Sequence, residues 1–219
     1  MELRPSRRRF LRGVGLSTAA VAFGPAVLSV ADLLASAGAQ EAAPTAPELA
    51  AFAETIELAA ASFYGALRQR VARPQAVSAI TAYAVHHKDH AGALGPIAGE
   101  KRTGKVNQLL MPTLNDQLSR AANESDVIRV AYDLENGLAS TYLFIIDTIT
   151  DRDTLKVAAS ILPVEAQHAV VLGSLIGRTA KDLTASDKDK LGYESEDRHL
   201  DPAQFPTVVT STSTTAGKK

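Results

Sequence analysis

The stretch Ile161-Leu162-Pro163-Val164-Glu165-Ala166-Gln167-His168-Ala169 decides how this chain is read. It places a carboxylate and an imidazole three residues apart inside an apolar run. On a helix that spacing puts Glu165 and His168 on one face. Ile161, Leu172 and Leu175 share the face, which predicts that it is buried. A buried carboxylate is costly unless something pairs with it, and a metal ion is the usual partner of a Glu/His pair. The expectation is a metal site inside a helical protein.

Three other segments repeat the intrusion of polar ligands into an apolar face. Ile80, Tyr83, His87, His90 and Leu94 follow a 3-4-3-4 spacing and form one helical stripe. His86 falls off that stripe, on the face of Ala79, Ala82 and Asp89. Glu135 lines up with Ala131, Leu138, Tyr142 and Ile149, and Glu57 with Ala50, Ala53, Ala60 and Tyr64. Glu54 is the nearest competitor for the inward position of Glu57. In antiparallel rods of similar length, all these positions fall near mid-height. Glu57, His87, His90, Glu135, Glu165 and His168 are therefore expected to converge on one layer. A lone Glu or His on an apolar face is more often a packed residue; agreement of four helices in face and height is what points to a metal. Tyr64, Tyr83 and Tyr142 fall close enough for their hydroxyls to reach the carboxylates, although a tyrosine simply satisfied in a bundle core is commoner. His199 reads as solvated.

The breaks between the segments set the topology. The first helix is expected from about Pro47 to Val71, and the second from Pro74, a good first-turn residue, to about Ala98. The third starts at an Asn123 cap with Asp126 in its first turn and runs to about Ile149. The fourth starts after Asp151 or Asp153 and ends near Gly177. Short links at Ala72–Pro74 and Thr150–Asp153 join antiparallel neighbours. The middle connection, about Glu100 to Ala122, is long enough to run back along a rod of roughly 37 Å, with a short helix expected over Leu114–Ala121. The plan is all-α: a four-helix bundle of two antiparallel hairpins joined by one long crossover. Pro163 should kink the fourth helix just before Glu165, unless that helix begins later.

Both ends differ from the bundle. Ser6-Arg7-Arg8-Arg9-Phe10-Leu11-Arg12, the apolar stretch from about Val14 to Leu34, and Ala37-Gly38-Ala39 look like a twin-arginine export signal over residues 1–39. The alternative is an anchoring helix, weakened by Gly15, Gly24, Pro25 and Asp32. The domain is then expected over 40–178, followed by a polar strap and disordered tail over 179–219. Hydrophobic residues at 46%, mainly Ala, Leu, Val and Ile, suit a helical core. A net charge of −1 gives no electrostatic case for nucleic-acid binding. The absence of cysteine excludes disulfides, thiolate metal sites and iron–sulfur clusters.

Four stretches carry a family resemblance: Ile56-Glu57-Leu58-Ala59-Ala60-Ala61-Ser62-Phe63-Tyr64, His87-Lys88-Asp89-His90-Ala91-Gly92-Ala93-Leu94, Leu134-Glu135-Asn136-Gly137-Leu138-Ala139, and the opening stretch around Glu165. Over about Leu49 to Ile176 the chain resembles the ferritin-like superfamily, and among its members the exported, desiccation-related type. The resemblance implies a di-iron or di-manganese carboxylate site. Glu57 and Glu135 would be terminal ligands, Glu165 would bridge, and His90 and His168 would each cap one ion. One position departs from the pattern: the family has a second bridging Glu where this chain has His87. Three carboxylates against two divalent ions leave one positive charge, and a neutral imidazole has no second lone pair with which to bridge. The outcome would be a looser pair bridged by water or hydroxide, a single occupied position, or a decayed site whose histidines merely pack. The extra nitrogen favours iron, zinc or copper over manganese. Iron is the first expectation, with manganese and zinc as alternatives.

The function this implies is an exported metal protein that oxidises ferrous iron or reacts with oxygen or peroxide, with no catalytic residue apart from the metal ligands. Its partners would be metal ions, oxygen or peroxide and the twin-arginine export machinery, and a homo-oligomer stays open. It would work in the periplasm, the cell envelope or outside the cell. The alternative is a non-catalytic stress-protection or interaction module of the cell envelope on the same scaffold.

Overall fold

The computed structural model describes residues 44–183 and 199–208. The expected signal over 1–39 and the end of the tail lie outside them. Among the described residues all regular structure is helical. Helix α1 spans Ala46–Leu67, α2 Pro74–Ala98, α3 Leu110–Arg120, α4 Glu124–Thr148, α5 Arg152–Leu175 and α6 Ala180–Leu183.

The ends follow local chemistry. Glu48 reaches back to the backbone N–H of Thr45 at 3.0 Å, which starts α1. Asn123 Oδ1 accepts from the Asp126 N–H at 3.0 Å, and Asp151 Oδ1 from the Thr154 N–H at 2.8 Å, capping α4 and α5. Gly99 and Gly177 end α2 and α5 with φ of 53° and 82°, a region that favours glycine. Helix α1 stops at Leu67, short of the expected Val71, and a 3-10 turn over Arg68–Arg70 follows. Val71 and Arg73 are both extended, and for Arg73 this follows from the proline after it. The crossover helix starts at Leu110 rather than Leu114. Asn107 Oδ1 accepts from the Leu110 N–H at 3.0 Å, and Pro112 falls in the first turn, where its missing N–H costs no bond. Helix α5 starts at Arg152 and continues through Pro163.

Helices α1 and α2 form one hairpin and α4 and α5 the other, with α2 alongside α5. Cross-helix pairs show the antiparallel sense: Tyr64 meets Tyr83 while Glu57 meets His90, and Tyr132 lies over Gly173 while Glu135 meets His168. The crossover lays α3 over α1 and α4. This explains why α1 is buried nearly all round rather than on a single stripe. The apolar core falls into two clusters. One gathers Leu49, Leu94, Ile145 and Ile161; the other Leu67, Ile80, Ile128 and Leu172. Between them, at mid-height, lies a layer of carboxylates and imidazoles.

The segment expected as a polar strap returns to the bundle. Leu200 is buried in the core and its N–H donates to Thr141 Oγ1 at 2.8 Å. Asn107 donates through Nδ2 to the Phe205 carbonyl at 2.9 Å. His199, expected to be solvated, is half-buried, with its ring stacked on Phe144 at 4.5 Å.

Candidate metal centre

Helices α1, α2, α4 and α5 contribute to the middle layer, each through the face that its sequence period turns inward. Glu57, His87, Glu135 and Glu165 are 0% exposed, His168 3%, and the His90 side chain 12%. The structure brings together all six residues singled out from the sequence.

His87 lies at the centre. Its Nδ1 is 2.8 Å from Glu57 Oε2 and its Nε2 is 3.1 Å from Glu135 Oε1. Glu165 faces the ring from α5 with its two oxygens divided. Oε1 is 2.7 Å from His90 Nδ1, and Oε2 is 3.2 Å from His168 Nδ1. His168 Nδ1 is also 3.3 Å from Glu135 Oε2. Two sets of four ligand atoms result, each with its atoms within 4.8 Å of one another: Glu57, His87, His90 and Glu165, and His87, Glu135, Glu165 and His168. They have Glu165 and His87 in common.

The donor set fits cations. Buried polar atoms are nearly always hydrogen-bonded. Here Glu165 Oε1, Glu165 Oε2 and His90 Nδ1 are buried close together, yet none is aligned for a hydrogen bond. Converging donors without mutual hydrogen bonds are what a positive ion among them would need.

Tyrosines hold two of the carboxylates. The Tyr142 hydroxyl donates to Glu57 Oε1, and the Tyr64 hydroxyl to Glu135 Oε1. Tyr64 also stacks on His87, with ring centres 5.1 Å apart. Tyr83 contributes its ring, stacked on His168 at 3.7 Å. Glu54 is as buried as Glu57 but turns away, with Oε1 2.5 Å from Arg102 Nε.

His86 leaves the inward stripe in the sequence. The structure places its Nδ1 2.9 Å from His168 Nε2. A ligating histidine commonly fixes its ring through the nitrogen that does not bind metal, and exposed His86 occupies that position. The available signal was its three-residue step from Tyr83, which itself stacks on His168.

The electrostatics follow the same division. Burial raises Glu57, but His87 and His90 beside it bring it well below the usual carboxylate range. Burial also raises Glu135, while His87 and His168 bring it lower still. Glu165 moves the other way, to about 7, first through burial and then through the Glu57 charge. Burial pushes His87 down, yet Glu135 and Glu165 hold it well above the histidine range; burial lowers His90 too, but the carboxylates of Glu165 and Glu57 beside it raise it to about 9. Tyr64 and Tyr142 are raised far above the phenol range by burial and by Glu135 and Glu57 respectively. Without a cation, imidazolium rings neutralise Glu57 and Glu135.

Comparison with known proteins adds one finding. The family model of the ferritin-like domain matches residues 45–178. No curated protein and no solved structure matches the chain.

Proposed function

The chain belongs to the ferritin-like domain family, and from that premise we propose that it is an exported metal-binding redox protein whose buried centre takes two ions, iron foremost. The observation that carries the reading is the pair of four-ligand sets meeting at Glu165, whose two buried oxygens lack hydrogen-bond partners. Glu57 and His90 would hold one ion, Glu135 and His168 the other, and Glu165 would give one oxygen to each. Bound iron would supply electron-transfer chemistry toward oxygen or peroxide, with ferrous iron or peroxide as substrate, which carboxylates and imidazoles alone do not supply.

The chain's own residues set the conditions. Tyr142 and Tyr64 aim Glu57 and Glu135 through their hydroxyls. The two apolar clusters above and below keep bulk water from the layer. Among the described residues the layer is most exposed at His90, and His168 meets exposed His86. The Ser6-Arg7-Arg8-Arg9-Phe10-Leu11-Arg12 run supports export by the twin-arginine route, which carries folded proteins, so metal would be loaded before export. The four motifs resemble the desiccation-related type.

The test is elemental analysis after anaerobic loading with ferrous iron, followed by spectra on admitting air. We expect about two equivalents of iron and a new absorption band, both lost in Glu135→Ala plus Glu165→Ala. Less than about half an equivalent of any transition metal overturns the reading. Cell fractionation of Arg7→Lys plus Arg8→Lys tests export separately, with retention in the cytoplasm as the expected result.

A further inference from the structure

We propose that His87 is a bridging ligand, binding one ion through Nδ1 and the other through Nε2 as an imidazolate, and so holds the pair well apart. This rests on the metal-binding reading above but not on its redox part.

Three observations carry it. First, the ring nitrogens are already divided: Nδ1 faces Glu57 on α1 at 2.8 Å and Nε2 faces Glu135 on α4 at 3.1 Å. Each ligand set contains one of those carboxylates, and both sets contain His87. Glu165 is divided in the same sense, Oε1 toward His90 and Oε2 toward His168. Second, the ring is held in that attitude. It is fully buried, stacked on Tyr64, and met edge-on by His90 at 6.0 Å and His168 at 5.6 Å. A neutral His87 would have to aim its N–H at one of the two ions. Third, charge balance favours the bridge. Two divalent ions against Glu57, Glu135 and Glu165 leave one positive charge in a buried layer, which is costly. Loss of the second ring proton to solvent supplies the fourth negative charge and leaves the layer neutral, as metal uptake commonly releases ligand protons.

The bridge has a geometric consequence. With metal–nitrogen bonds of about 2 Å on diverging lone pairs, the ions would lie about 6 Å apart. A pair that shares a single oxide or hydroxide oxygen lies at about 3.5–4 Å, whereas Glu165, with one oxygen turned to each side, can span the wider gap. The wider spacing cannot be spanned by one oxygen atom, so the centre would differ in kind from the pair expected of its family.

The experiment uses the full chain, stripped of metal, loaded with zinc and crystallised, with the ions located by anomalous scattering at the zinc edge. Two peaks about 6 Å apart on either side of His87 are expected. His87→Gln should hold one zinc instead of two, and His87→Glu two zincs at under about 4 Å; circular dichroism checks that both variants fold. Two ions under about 4 Å apart in the natural chain, or two ions retained by a folded His87→Gln, overturns the bridge and leaves the metal reading standing; a single ion in the natural chain overturns the bridge and the two-ion part of that reading. Failure of the natural chain to bind zinc or iron overturns both.

Discussion

The Tyr142 hydroxyl donates to Oε1 of Glu57, while His87 Nδ1 holds Oε2 of the same carboxylate at 2.8 Å. Glu57 is thus fixed from both sides by groups on two other helices. Removing one of them leaves a fully buried oxygen without a partner, and that penalty is typically about 1–3 kcal/mol. Tyr142→Phe should therefore lower the unfolding free energy of the metal-free protein by about that amount. It should also weaken zinc binding roughly ten- to a hundredfold, the usual cost of losing an outer hydrogen bond to a ligand. Urea melts and competitive zinc titration measure the two. Unchanged affinity in a folded variant would mean that Tyr142 only fills space.

His86 invites the opposite pattern. It is exposed, so His86→Ala should change stability by less than about 0.5 kcal/mol. Its Nδ1 nevertheless meets Nε2 of His168, and loss of that contact frees the ring to turn. Zinc affinity should fall about tenfold at the His168 side alone, turning a titration with two similar steps into one tight and one weak step. Val85→Ala, a neighbouring exposed apolar change, is the control and should leave both steps intact. Two unaltered steps in His86→Ala would remove it from the site.

Periodicity made the inward face of each long helix legible, because Glu57, His87, Glu135 and Glu165 interrupt otherwise apolar stripes. Caps at Asn123 and Asp151 and the proline at 74 made the helix starts legible as well. Contacts between distant segments were not, since no spacing reports them. Leu200 and Asn107 look like ordinary loop residues, yet one enters the core and the other ties α1 to the returning strap. His86 failed by the same logic that found its neighbours: a stripe registers burial, and His86 acts from the exposed edge. Glu54 shows the converse, a buried carboxylate whose partner, Arg102, comes from the crossover.

Uptake of metal must compete with protons. His90 is raised to about 9 because the nearby carboxylates of Glu165 and Glu57 outweigh its burial, and His168 is raised by the like contacts with Glu135 and Glu165. Below those values the rings hold protons that an ion has to displace, so zinc affinity should climb as pH rises from 6.5 toward 9. The metal-free protein should go the other way. A raised folded-state value contributes stability that is complete below the unfolded value, about 6.5, and lost as pH rises through the folded one. The zinc-induced rise in Tm should accordingly be larger at pH 8.5 than at pH 6.5. An equal rise at both, by scanning calorimetry at fixed free zinc, would sink this account.

Glu165 gives the sharpest separation of stability from function. Burial, then the Glu57 charge, raises its carboxyl to about 7, and neither oxygen is aligned for a hydrogen bond. For a carboxyl whose folded value lies above the unfolded one, the stabilising contribution is full below the unfolded value and lost as pH rises through the folded one. At pH 5 the group keeps its proton, and Glu165→Gln, nearly the same shape, should be close to neutral. At pH 8 the natural chain carries an extra buried negative charge that glutamine lacks. The substitution should then stabilise the metal-free protein by roughly 1–3 kcal/mol, or several degrees in Tm. The same change should abolish two-ion binding, because an amide cannot supply an anionic oxygen to each set. Natural and substituted chains compared at both pH values, with and without zinc, decide the matter. A Glu165→Gln protein less stable than the natural one at pH 8 without metal would show that the charged carboxylate is satisfied by the imidazolium rings around it, not strained among its fellow acids.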